Sequence, residues 1–291
     1  MKGWVRPGPD EPQAAPPAKV PAPAGAETLT SARLTQLLAG LNDANYQVRL
    51  LPELENLTRL DLKKQAEANA LINNWAKTHK LDENQRKFLY ELAAATAPAA
   101  AALQADKDYL LTADGFRKQN GPYREKSNNC RHYGFKLYYQ GLGPLLEPGL
   151  SKTLGKKIYG RPSGFDWQSS GIKRYPARDW DRMSQDQKDA KLAGRPTFVY
   201  YTYDSKDLDA ILKTLKPGDL IGVDRNPRTQ NAHVGIYVGD GQIIHIGRPL
   251  YRDDLKDFVR RAHTVTVYKL VRRNMEKPDL SMLMSGEPVG D

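Results

Sequence analysis

Apolar positions early in the chain recur every three to four residues, which is the period of a helix with one buried face. Leu34, Leu37, Leu38 and Leu41 fall on one such face, and Thr30 or Ser31 stands ready to cap it. Leu54 and Leu57 open a further segment, and "DLKKQAEANALINNWAKTH" continues with strong helix formers. "LDENQRKFLYELAAAT" begins with Asp82 followed three residues later by Gln85, a capping-box pattern, and the spacing predicts a helix that stops before Pro98. Residues 28–112 therefore read as a small helical region, in which Trp75 and His79 have surface or packing roles.

From 113 to 274 the pattern mixes periods. "NNCRHYGFKLYYQGLGP" predicts a helix running from Cys130 to a stop at Gly141, Gly143 and Pro144. "PTFVYYTY" is β-branched and aromatic, hence a strand, and "DSKDLDAILKTL" is a short amphipathic helix. The turn "KPGD" feeds the strand "LIGVD", and "NAHVGIYVGDGQIIHIG" reads as two apolar strands joined by a tight glycine turn. "RDDLKDFVRRA" is again helical, and "HTVTVYKLV" alternates as a closing strand. Helices gathered ahead of an antiparallel sheet give an α+β fold. The flanking segments differ in kind: residues 1–27 are rich in Pro and Ala, which favours a flexible extended tail over a docking peptide, and 275–291 read as a loose C-terminal tail.

Composition narrows the partners without choosing one. The 291 residues carry 44 Lys+Arg against 34 Asp+Glu, a net charge of +10 that suits nucleic acid, anionic lipid or an acidic wall polymer. No helix–turn–helix, zinc-finger or RNP pattern anchors a specific nucleic-acid reading. A single cysteine, Cys130, excludes an intrachain disulfide. The first residues lack the apolar core of a Sec signal, and no run approaches the roughly 18 apolar residues of a membrane span, so the expectation is a soluble chain made in the cytoplasm.

Two histidines inside apolar strands need a reason. Alternation puts His233, Gly235 and Tyr237 on one face of their strand and Val234, Ile236 and Val238 on the other. The apolar face should meet the core, leaving His233 beside Gly235 with room for an approaching group. Turn length decides whether His245 joins it. A two-residue turn at Asp240–Gly241 pairs Ile236 with His245 and separates the histidines; a three-residue loop, Gly239–Asp240–Gly241, pairs Gly235 with His245 and makes them neighbours on one face. The three-residue loop is the expectation. With Cys130 at a helix start, where orphan N–H groups favour a thiolate, this gives a nucleophile, a base and an orienting group: Cys130, His233 and His245. A zinc site is disfavoured by the absence of Cys-x-x-Cys or His-Glu-x-x-His spacing. His132 points away from Cys130 on a helix, and His263 reads as structural.

The segment "GDLIGVDRNPRTQNAHVGIYVGDGQIIHIG" resembles the second half of NlpC-type cell-wall endopeptidases, and "NNCRHYGFKLYYQGLG" is similar to their nucleophile helix. The resemblance implies a papain-like domain over 113–274, a nucleophile helix packed on an antiparallel sheet, with Cys130 as nucleophile, His233 as base, His245 as orienter and Tyr123 as a substrate or oxyanion contact. It requires no metal or organic cofactor. The implied reaction is hydrolysis of an amide in peptidoglycan stem peptides; deamidase, transglutaminase or thioesterase action on a protein or lipid is the alternative, because this core hosts all of them. Wall chemistry without a Sec signal fits an injected antibacterial effector, for instance of a type VI system, acting in a target periplasm. Its partners would be an immunity protein and a secretion carrier docked through the helical region. The sequence departs from the family at Asn129-Cys130-Arg131-His132, where Asp-Cys-Ser-Gly is usual, and it inserts a basic stretch over 151–195 that either walls the cleft or is a solvated loop.

Overall fold

The computed structural model describes residues 26–120, 130–146, 173–192, 196–224, 233–246, 250–260 and 262–271. Six helices come first: α1 (Ser31–Leu38), α2 (Asp43–Arg59), α3 (Leu62–Thr78), α4 (Glu83–Tyr109), α5 (Ala113–Asn120) and α6 (Cys130–Leu142). The sheet region follows with β1 (Lys173–Pro176), α7 (Ala177–Arg182), α8 (Gln185–Leu192), β2 (Thr197–Asp204), α9 (Leu208–Thr214) and β3 (Leu220–Asp224). It closes with β4 (His233–Gly239), β5 (Gln242–Ile246), β6 (Leu250–Asp254), α10 (Leu255–Val259) and β7 (Thr264–Leu270). This is an α+β arrangement, helices ahead of a seven-stranded sheet.

The helix starts follow local chemistry. The Thr30 hydroxyl accepts from the Arg33 amide at 3.1 Å, and Leu34, Leu37 and Leu38 are buried behind it. Asp82 and Gln85 form the expected reciprocal box, with Gln85 N–H donating to Asp82 at 2.8 Å and Asp82 N–H donating to Gln85 at 3.2 Å. The expected stop before Pro98 is not observed: α4 runs on to Tyr109. Pro98 removes one helical hydrogen bond, a cost of about 3 kcal/mol. The alanine-rich stretch around it is a strong helix former, and Ala97, Ala99, Ala101, Ala102 and Ala105 are all buried. Tertiary packing of that face outweighs the local penalty.

The sheet order is β1-β2-β7-β3-β4-β5-β6. All its pairs are antiparallel except β1 with β2, which are parallel. The basic stretch between the two halves is thus partly built into the sheet: β1 adds an edge strand, and buried Trp180 and Leu192 from α7 and α8 pack with Val199 and Val271. A second difference lies at "RDDLKDFVRRA", where Arg252, Asp253 and Asp254 extend β6 and the helix begins only at Leu255. Pairing of Gln242 with Asp254 and Ile243 with Asp253 holds those residues in the sheet despite their polarity.

Each face of the sheet has its own core. On one face Leu220, Val234, Ile236, Ile244 and Tyr268 join Leu34, Leu57, Ile72, Phe88 and Phe135 from the helices, so residues on both sides of position 112 share one core. On the other, Ile221, Val223, Tyr237, Ile243, Val265 and Val267 pack against Ile211 of α9 and against Leu255, Phe258 and Val259 of α10. Gly218 ties the layers together. Its φ is +98°, and a Cβ there would stand 2.2 Å from the Pro98 carbonyl oxygen. Its N–H donates to Tyr237 O at 2.7 Å, and its carbonyl accepts from the buried Tyr138 hydroxyl of α6.

Candidate functional site

The β4–β5 hairpin orders the site. Gly235 pairs with His245, the register that the three-residue loop was expected to give. The structure reaches that parity by another route. Gly239 pairs with Gln242, leaving Asp240 and Gly241 as a two-residue turn with φ of +51° and +72°. A one-residue bulge between Tyr237 and Gly239 then restores the register. The turn is pinned from both sides: the Gly241 amide donates to the Tyr237 hydroxyl at 3.1 Å, and the Leu255 amide donates to Gly241 O at 2.7 Å. The second of these bonds sets α10 against the hairpin.

Within this frame the two imidazoles meet. His233 Nε2 and His245 Nδ1 are 2.8 Å apart, with the rings nearly perpendicular at 83°. His245 Nε2 lies 2.9 Å from the Asp253 carboxylate of β6. These contacts assign the tautomers. A carboxylate only accepts, so His245 carries its proton on Nε2 and presents the Nδ1 lone pair. His233 must then donate through Nε2–H, which makes Nδ1 the basic nitrogen of its ring. Phe258 of α10 packs against both rings, 5.5 Å from His233 and 5.1 Å from His245 by centroids, and holds them in place. His245 is buried and His233 half-buried.

The room expected beside Gly235 is taken. A Cβ on Gly235 would lie 2.7 Å from Ile243 and 3.2 Å from the His245 Cβ. Glycine is needed there because the neighbouring strand's side chains close over it, not to admit a substrate.

Cys130 opens α6 and is half-buried against the helical core. The helix's direction follows from two contacts. Gly134 lies directly on Leu220, where a Cβ would be 2.9 Å from the leucine Cδ2, and Tyr138 one turn later reaches Gly218. Helix α6 therefore runs antiparallel to β3, and its first turn points toward Val223, whose partner in β4 is His233. The described contacts place α6 on the Val234–Ile236 face and the histidines with Phe258 on the opposite face, so the first turn of α6 and His233 lie toward the same end of the sheet but on its two different faces. The N-terminal end of a 13-residue helix is positive, which favours a thiolate at Cys130.

The α6 start is buttressed by a buried carboxylate that no sequence pattern marks. Asp108 of α4 accepts from the Tyr133 hydroxyl at 2.9 Å and from Gln104 at 2.7 Å. Burial, then the Asp108 charge, pushes the Tyr133 phenol far above its usual range, and burial lowers the Lys136 ammonium against the opposing pull of Asp108. Asp219, part of the Gly-Asp turn, is also structural. It accepts from the Lys216 amide at 2.8 Å and from Lys269 at 2.7 Å, and burial pushes its carboxyl up while Lys269 pulls it down.

Tyr123 and the side chain of His132 lie outside the described residues. The His263 amide donates to Asp224 O at 2.7 Å at the end of the β3–β7 pairing, a structural contact. Among the described residues no cluster of three His, Cys, Asp or Glu could hold a metal ion, and no helix is long and apolar enough to cross a membrane. Sequence reasoning missed Asp253. Its signal was the alternation of "LYRDD" continuing a hairpin, which puts Tyr251 and Asp253 on the histidine face.

Residues 213–289 match the family model described as lecithin retinol acyltransferase, a family related to the NlpC-type enzymes within the papain-like thiol superfamily. The match takes in both histidines and Asp253 and leaves Cys130 outside it. It points to a related family in that superfamily and does not single out the NlpC-type peptidase that the sequence resemblance implied. No curated protein and no solved structure matches the chain.

Proposed function

We propose that the chain is a papain-like cysteine enzyme that transfers an acyl group through a thioester on Cys130. The observation that carries this reading is the His233–His245–Asp253 chain of contacts, which leaves His233 with a basic Nδ1 at the end of the sheet toward which the first turn of α6 runs. In the reaction the Cys130 thiol gives its proton to His233 Nδ1, and the thiolate attacks the acyl carbon. The oxyanion forms beside the backbone N–H of Cys130, at the positive end of α6. Collapse expels the leaving group, which takes the proton back from His233. Water, deprotonated by His233, then releases the acyl group.

We assign the substrate first to an amide of a peptidoglycan stem peptide. The Gly218–Asp219 turn and the His233–Tyr237 strand support this through their NlpC-type resemblance, and the net charge of +10 suits an anionic wall polymer. The family match favours a second reading, an acyl ester of a lipid. Purified peptidoglycan and phospholipid vesicles, each incubated with the native chain and with Cys130→Ala, separate the two by mass spectrometry. New stem fragments from the native chain alone support the first reading; released fatty acid or lysolipid moves the assignment to the second. Neither product, with any substrate change shared by Cys130→Ala, refutes both.

A further inference from the structure

Resting on the reading of His233 as the base for Cys130, we infer that Asp253 is a positioning residue that sets the protonation geometry of both histidines, making the site a four-membered Cys–His–His–Asp series. Three observations carry this. Asp253 reaches the buried His245 at 2.9 Å, and His245 reaches His233 at 2.8 Å, so one carboxylate orders two rings in sequence. Asp253 comes from β6, whose pairing of Ile243 with Asp253 and His245 with Tyr251 places the carboxylate diagonally across from His245. Its neighbours Arg252 and Asp254 belong to the other face, Arg252 bonding to Asp106 of α4 and Asp254 to Gln242. The charge at 253 is thus aimed at the histidines while the two charges flanking it are engaged elsewhere.

A neutral third member, such as an asparagine, orients a catalytic imidazole by a dipole. Here the terminal group is a full negative charge acting through a polarisable ring. When Cys130 S–H breaks and His233 Nδ1–H forms, no bond changes at Asp253. The imidazolium on His233 donates through Nε2 to His245, and His245 donates through Nε2 to Asp253. The carboxylate favours the charged form of His233 and so favours the thiolate on Cys130. The groups described around the His245 ring are His233, Asp253, Tyr251 and Phe258, and among them Asp253 holds the negative charge.

The test uses the chain's single thiol and needs no substrate. The rate of iodoacetamide alkylation is followed against pH for the native chain, His233→Ala, Asp253→Asn and Asp254→Asn. The native profile should rise well below the ordinary thiol range near pH 8.5. Asp253→Asn should shift it upward by about one unit, an approximately tenfold loss of thiolate at pH 6, while Asp254→Asn follows the native curve. If Asp253→Asn superimposes on the native curve while His233→Ala shifts it, Asp253 has no such role although the nucleophile–base reading stands. If the native curve is that of an ordinary thiol, both fall. Imidazole nitrogen-15 shifts of the native chain give an answer independent of how any variant folds: a His245 ring protonated on Nε2 with Nδ1 bare supports the inference, and an Nδ1–H tautomer on His245 overturns it.

Discussion

The β4–β5 hairpin and helix α6, which carry the proposed base and the proposed nucleophile, are held by different kinds of contact. Beside the pairing of His233 with Val223 of β3, the contacts described for the histidines lie between positions 233 and 258: the Asp240–Gly241 turn, the bulge before it, Asp253 on the next strand and Phe258 beyond that. Helix α6 depends on residues far away in the chain. Its C-terminal end is gripped by Asn69 and Asn73 of α3, whose amides donate to Gly141 O at 3.2 and 2.8 Å. Its first turns rest on Asp108 through Tyr133 and on Leu220 through Gly134. The proposed base is held largely by its own hairpin and the strand after it, whereas the position of Cys130 is a product of the assembled helical layer. A change in that layer should therefore act on Cys130 and leave the histidine pair intact.

Gly218→Ala tests that dependence with the largest effect. The position has φ of +98°, and the added methyl would overlap the Pro98 backbone, which cannot swing aside. The expected loss is about 3 kcal/mol or more of unfolding free energy, read by urea denaturation. Activity should fall with it, because α4, α6 and β3 meet there. Stability within about 0.5 kcal/mol of native would mean that the helical layer is not seated on the sheet as described.

Gly235→Ala acts on the hairpin instead. Its methyl would press on Ile243 and on the His245 Cβ. A cost of about 1–3 kcal/mol is expected, with a larger proportional loss of activity because the His245 ring moves. Activity preserved at reduced stability would show that the histidine geometry tolerates displacement.

A smaller effect comes from Tyr133, on the helix side of the comparison. Its phenol stays protonated in the folded chain far above the usual range. The unfolded chain releases that proton near pH 10, so stability falls as pH rises beyond this point, by up to about 1.4 kcal/mol per pH unit for the one group. Unfolding free energies of the native chain and Tyr133→Phe, compared between about pH 9 and pH 11, should show a shallower fall in the variant. Parallel curves would contradict burial of that hydroxyl against Asp108.

The same division explains what could be read in the sequence. The caps at Thr30 and Asp82, the stop at Gly143 and the strand at Thr197–Asp204 rest on neighbouring residues, and all appear as expected. The pairing of Gly235 with His245 was legible because alternation and turn chemistry are local, although the bulge that delivers it was not. The passage of α4 through Pro98, the parallel β1 and the Asp108 cluster were hidden, since each is decided by a partner remote in the chain. Asp253 lay between. Its strand looked helical because its charges break the apolar pattern, and only pairing with β5 shows where they point.

The most direct test of the account is the ultraviolet absorbance of the Cys130 thiolate, titrated in the native chain and in His233→Ala. One cysteine gives one thiolate signal, read below about pH 9, where the 15 tyrosines remain protonated. If the helix and the hairpin form one site, the native chain shows thiolate near pH 6 and His233→Ala loses it, reverting toward the ordinary midpoint of about 8.5. Coincident titrations, both near that ordinary midpoint, would contradict the pairing of Cys130 with His233 on which the proposed reaction depends.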